Sequence, residues 1–288
     1  MTILEAFILG IVQGVFMFVP VSSTAHLVIA QHLMINAGAS LPPPESPEMI
    51  LFDLIVHVGT LVSIAIVFWS SLRYLVLATS AEMAAFARAP GGWGIVGPVL
   101  RLMIFGAVTV FVTGVLGLVF KDWIELVFAS PKIVAFTLAT TGLLLWLTDR
   151  LGPRPIGLKG IGFRIAIIIG IAQAAALVPG ISRSGITIIA GLFAGLKRRW
   201  AAEYSFLVAI PTILAATIVQ SAREVEPGAL EALGYVPLLV GFLVSAIVGT
   251  IALKLVLVLL YRAQLKVFAI YLFLLAGLVA LGFLDGLL

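Results

Sequence analysis

The sequence predicts an all-α integral membrane protein: an inverted-topology repeat of about six transmembrane helices and two re-entrant helical hairpins, in a single membrane domain over residues 1–288. Three observations carry this. Of 288 residues, 62% are hydrophobic and 10% charged, with a mean hydropathy of +1.24. A soluble domain needs about a quarter of its residues charged to hold a wet surface, so the solvent here is mostly lipid. The apolar residues fall into stretches long enough to span a bilayer, and two of those stretches are broken by similar polar sequences.

Taken in order, the first region, 3–35, is apolar but interrupted at VPVSS, Val19 to Ser23. Spans follow at 50–69, 98–120 and 131–148. The second broken region, 162–196, is interrupted at VPGISRSG, Val178 to Gly185. Three more spans lie at 203–220, 235–257 and 267–287. Isolated strands cannot satisfy their backbone in lipid, so these runs are helices despite their Val and Ile content. Pro20 and Pro179 each remove a backbone donor and push the preceding residue out of helical geometry. Each broken region therefore reads as helix, polar break, helix.

Charge placement fixes an orientation. With six spans and two hairpins that return to their own side, Arg73, Arg88, Arg101, Arg150, Arg154, Lys159, Arg164, Lys197, Arg198, Arg199, Lys254, Arg262 and Lys266 fall on one side. Only Lys121, Lys132 and Arg223 fall on the other, which also receives Glu5, Glu45, Glu48, Asp122, Glu125, Glu224, Glu226, Glu231 and Asp285. The positive-inside rule places the first group in the cytoplasm and both termini outside. The net charge of +4 therefore reflects loops that set orientation and does not argue for nucleic acid, so no nucleic-acid partner is expected. No cysteine is present, which excludes disulfide and thiolate chemistry. The N-terminal stretch lacks the basic region and cleavage site of a secretory signal and reads as part of the mature fold.

The two halves, about 1–150 and 151–288, resemble each other. Gly10-Ile11-Val12-Gln13 matches Gly170-Ile171-Ala172-Gln173, and residues 52–67 match 204–219 without a gap. Three spans separate the hairpins, an odd number, so the halves are inverted across the membrane. That brings both breaks to the membrane interior, where half-helix N-termini suit an anion.

The candidate site residues lie in these breaks. The first reads Pro20-Val21-Ser22-Ser23-Thr24-Ala25-His26. Ser22 or Ser23 suits a helix N-cap, and His26 follows about one turn later on the same face. The second reads Pro179-Gly180-Ile181-Ser182-Arg183-Ser184-Gly185-Ile186-Thr187. No other charged residue occurs between Arg164 and Lys197, so Arg183 has no local ion-pair partner. A cation at membrane depth is costly and marks a function, and its planar fork fits two phosphate oxygens. Gly180 and Gly185 allow close backbone approach to a ligand, while serine hydroxyls and helix N–H groups complete a phosphate cradle. His32 and His57 are weaker candidates. Glycine and alanine in the spans suit close helix contacts, within the chain or in a homodimer.

At GIVQG…FVPVSSTAH and LVPGISRSGITI, and again at EYSFLVAIPT, the sequence resembles the undecaprenyl-diphosphate phosphatase (bacitracin-resistance) family over nearly its whole length. The resemblance implies a bacterial cytoplasmic-membrane enzyme that removes the terminal phosphate of a polyprenyl diphosphate carrier lipid recycled in cell-wall synthesis. By position it makes Ser23, His26 and Arg183 catalytic candidates. Gln13, Met17, Ser22, Thr24, Gly180, Ser182, Ser184 and Thr187 become substrate-binding candidates. It also implies a divalent cation, Mg²⁺ or Ca²⁺. The family's first motif is Glu or Gln, three residues, then Glu; here Gln13 meets the first position and Met17 holds the second. A cation would then have to use Gln13, hydroxyls, substrate phosphates or Asp53. The alternative reading is a transporter or flippase of an anionic polyprenyl lipid.

Overall fold

The structure is a computed structural model and describes residues 1–88, 96–120 and 131–282. Twelve α-helices lie in these segments: α1 Ile3–Phe16, α2 Ser23–Asn36, α3 Pro47–Val67, α4 Trp69–Arg88, α5 Pro98–Val119, α6 Pro131–Asp149, α7 Phe163–Ala175, α8 Arg183–Phe193, α9 Arg198–Glu224, α10 Ala229–Leu233, α11 Tyr235–Tyr261 and α12 Lys266–Ala280. Five are long and apolar enough to cross a membrane: α3, α5, α6 (over Lys132–Asp149), α9 and α11. The protein is thus an all-α, multi-pass membrane protein.

Both expected breaks are present. Helix α1 ends at Phe16 and α2 starts at Ser23; α7 ends at Ala175 and α8 starts at Arg183. Within each pair the two helices pack on each other. Their starts follow the local sequence. Thr2 and Glu5 form a capping box at α1, Ser46 caps α3 ahead of Pro47, and Ser182 accepts from Gly185 N at α8.

Two elements differ from the sequence reading. Helix α4 occupies a stretch read as a loop, separated from α3 only by Phe68. Its alanines at 78, 81, 84, 85 and 87 favour helix, yet it buries only Leu75 and is too polar to count as a span. The last expected span, 267–287, is described as helix only over the 15 residues of α12. That is about 22 Å of helix against a hydrocarbon core of about 30 Å; positions 283–287 lie outside the described residues.

The helices pack in a reciprocal pattern. Helix α1 lies along α11, and α7 lies along α5; α3 meets α11, and α9 meets α5; α3 also meets α9, and α6 packs on α12. The pattern is unchanged when α1, α3, α5 and α6 are exchanged for α7, α9, α11 and α12. Small residues allow these approaches. A Cβ at Gly14 would stand 2.9 Å from Gly249 N, and one at Gly170 would stand 2.9 Å from Thr109 O. Hydroxyls cross the same seams: Thr113 Oγ1 donates to Gly170 O at 3.1 Å, and Ser63 Oγ to Ala246 O at 2.8 Å.

The two ends of the bundle differ in charge. At one end, Arg198 donates to Thr148 O at 2.8 Å, Asp149 accepts from Lys266 N at 2.7 Å, and Arg199 pairs with Glu203 at 2.7 Å. At the other end, Glu5 accepts from Ser40 N at 2.9 Å beside an apolar cluster that includes Met49, Phe52 and Leu233.

Candidate active site at the meeting of the two breaks

The two breaks touch. A Cβ on Gly185 would stand 3.1 Å from Pro20 Cβ, and Ser184 Oγ reaches Phe18 O at 3.4 Å. Residues 166 positions apart thereby share one junction.

At its centre is the Met17 sulfur. Gln13 Nε2 donates to Sδ at 3.6 Å, Arg183 Nη2 at 3.8 Å and Ser23 Oγ at 3.9 Å. A thioether is a weak acceptor, so three donors, one of them cationic, converge on a group that satisfies them poorly. Gln13 Oε1 is buried and has no hydrogen-bond partner among the described residues. No carboxylate there lies within ion-pair distance of Arg183. The junction therefore carries a net positive charge with its donors facing inward. Arg183 is the first residue of α8, so its side chain and the free N–H groups of that helix end lie together, an arrangement that suits an anion.

His26 is held separately. Its ring stacks on Phe16, with centroids 3.9 Å apart. Nδ1 lies 2.7 Å from Ser22 O and Nε2 lies 2.6 Å from Tyr271 Oη. A carbonyl oxygen can only accept, so Nδ1 carries the proton and Nε2 accepts from the tyrosine hydroxyl. Ser22 presents that carbonyl from a left-handed backbone, φ 71°. Ser23 points at Met17 and His26 at Tyr271, so no Ser–His pair is formed.

The remaining candidates are spread around this centre. Ser182 and Ser184 are buried, their oxygens 3.3 Å apart. Thr187 turns its hydroxyl back onto Arg183 O at 2.9 Å. Thr24 is exposed. Gly180 faces away from the junction: with φ 83°, its missing Cβ makes room for Val134 O of α6, which a Cβ would approach to 2.9 Å. Thr137 Oγ1 donates to Pro179 O at 2.6 Å beside it. His57 Nδ1 donates to Asp53 O at 2.7 Å, and Asp53 Oδ1 accepts from Gln31 Nε2 at 2.9 Å.

Two contributors escaped sequence reasoning. Tyr271 lies 245 residues from His26, and only its polar tip within an apolar helix could have flagged it. Phe16 reads from sequence as one more apolar residue.

The donor set does not fit a protein-held hard cation. Such ions take oxygen ligands, carboxylates above all. The junction offers one amide oxygen, hydroxyls and a soft sulfur, and the described residues contain no group of three acidic or histidine side chains suited to a metal.

Fold and site together define a multi-pass membrane protein with an inward-facing, cationic junction built from two helix breaks. The chain belongs to the family described as bacitracin resistance protein BacA, whose pattern matches residues 6–278. It is 55% identical to the undecaprenyl-diphosphatase of Alkalilimnicola ehrlichii over 281 residues, 97% of this chain and 96% of that one. It is 52% identical to the undecaprenyl-diphosphatase of Halorhodospira halophila over 282 residues, 97% of each. Identity to the protein of that name from Halothermothrix orenii is 35% over 94% of each chain.

Proposed function

We propose that this chain hydrolyses the terminal phosphate of a polyprenyl diphosphate, the activity that its relatives' name states. The observation that carries the reading is Arg183, placed at a helix start with no carboxylate partner among the described residues and facing the first break. Each helix pair, α1–α2 and α7–α8, enters and leaves the membrane on one side. The two halves are inverted repeats, and the reciprocal helix packing supports that relation. The setting is the cytoplasmic membrane of a bacterium, with both termini outside.

In the reaction, water supplies an oxygen to the terminal phosphorus. The anhydride P–O bond breaks, and the lipid monophosphate and inorganic phosphate leave. Arg183 and the start of α8 stabilise charge on the transferred phosphoryl group. His26, with Nδ1 fixed as donor, offers Nε2 as the proton acceptor. Phosphates of the substrate, rather than side-chain carboxylates, would supply most ligands to any divalent cation.

The test is phosphate release from undecaprenyl diphosphate by the purified protein in detergent, with and without Mg²⁺ or Ca²⁺. Release is expected, and Arg183→Ala is expected to remove it. No release under any of these conditions overturns the reading. Met17 favours a second reading, carriage of the same anionic lipid, because the junction's donors suit an anion while the carboxylate that the family resemblance implies is replaced by a thioether. Movement of the lipid across vesicle membranes without phosphate release would select it.

A further inference from the structure

Among the described residues the Nε2 lone pair of His26 has one partner, the hydroxyl of Tyr271 at 2.6 Å, while Nδ1 is committed to Ser22 O. As long as that pair persists, His26 has no nitrogen free for a phosphate. Tyr271 sits on α12 with 39% of its surface exposed, so it stands at the periphery. Helix α2 buries only His26, Leu27 and Gln31. Among the described residues, its polar link to α12 is this one hydrogen bond. The α2–α12 seam is thus lightly packed, apolar outside and fastened by a single polar contact that ends on the reactive histidine.

We propose that Tyr271 is a latch displaced by the substrate's terminal phosphate, and that the α2–α12 seam is where the lipid's headgroup reaches the junction. This rests on the polyprenyl-diphosphate reading. A lipid carrying a long apolar chain lies in the bilayer, so its headgroup must arrive from the side. A singly protonated phosphate offers an O–H to the same lone pair that the tyrosine hydroxyl holds. Binding therefore exchanges one hydrogen bond at Nε2 for another, and the proton that Nε2 accepts in the reaction is the one this phosphate brings, its freed oxygen taking the proton of the attacking water. The chain then occupies the place at the seam from which the phenol has turned. Tyr271 here is a positioning residue: it holds the ring ready and yields to the ligand.

The test is binding rather than turnover. The probe is farnesyl methylenediphosphonate, a non-hydrolysable diphosphate lipid, titrated at pH 6 so that its terminal phosphonate keeps a proton. Tyr271→Phe keeps the ring and removes only the competing hydroxyl. It is expected to bind the probe about three- to ten-fold more tightly, the worth of one neutral hydrogen bond. Nitrogen NMR of the parent is expected to show the His26 Nε2 signal moving as the probe saturates the site, while Nδ1 stays protonated. Binding that is no tighter in Tyr271→Phe, or an Nε2 signal that does not move, overturns the latch and leaves the phosphatase reading intact. No binding by either chain sinks the diphosphate reading, and the latch with it.

Discussion

Ser22 holds a left-handed backbone, φ 71°, a conformation that costs a non-glycine residue about 1–3 kcal/mol. Its carbonyl is thereby aimed at His26 Nδ1, so local strain sets the tautomer of a candidate catalytic group. Ser22→Gly is expected to match the parent or exceed it by up to about 2 kcal/mol in thermal unfolding, as the relieved strain equals or outweighs about 0.5–1 kcal/mol of added chain entropy. Ser22→Val is expected to lose about 1–3 kcal/mol, because a branched Cβ tolerates that backbone poorly. Met17 gives a second expectation. Met17→Glu would hand Arg183, Gln13 and Ser23 a charged acceptor and neutralise the junction. Calorimetric titration with inorganic phosphate should then show affinity lower by roughly ten-fold or more, the worth of a hydrogen bond to a charged group. Unchanged affinity would show that Arg183 does not govern anion binding. At this scale the sequence was informative where chemistry is local: Ser23, His26 and Arg183 stand in polar breaks within apolar runs. It was silent on Tyr271 and on the direction of Gly180, because both depend on which helix lies opposite.

At the scale of elements, glycines set the closest approaches. A Cβ at Gly14 would meet the backbone N of Gly249 at 2.9 Å, and backbone cannot turn aside as a flexible side chain can. Gly14→Val is expected to destabilise the protein in detergent by about 1–3 kcal/mol through overpacking. Gly114, with nothing within 4 Å of an added Cβ, is the control. Gly114→Ala is expected to be neutral or to stabilise by up to about 1 kcal/mol, through helix propensity alone. Equal effects at the two positions would mean that the α1–α11 seam is not tight. Breaks and spans were legible because prolines, serines and apolar length act locally. Helix α4 was not: with few buried positions, its helix depends on alanine content, a signal weaker than hydropathy. The last expected span is described as helix only through Ala280, and its positions 283–287 lie outside the described residues.

For the whole molecule, the charge partition gives the proposed orientation a direct test, made clean by the absence of any cysteine. A single cysteine replacing Glu226 is expected to react with an impermeant maleimide on intact cells, and one replacing Lys159 only after permeabilisation. The reverse labelling would turn the molecule over. The structure gathers Thr148, Asp149, Arg198 and Lys266 at one end and Glu5 and Ser40 at the other, which supports that test. The class of the fold was readable from composition because lipid leaves few solutions; the mutual arrangement of the helices was not, since it depends on pairings distant in the chain.

One of those pairings bears on how the protein is made. Helix α1 leaves the ribosome long before α11, the helix that covers its glycine face. Roughly 230 residues must be synthesised between them, which takes about 10–50 s at ordinary elongation rates. Throughout that time Gly10 and Gly14 have no protein neighbour from α11. The nascent chain must therefore be sheltered by lipid or by the insertion machinery, and a transcript that ends before α11 would yield a product whose first helix has nowhere to dock.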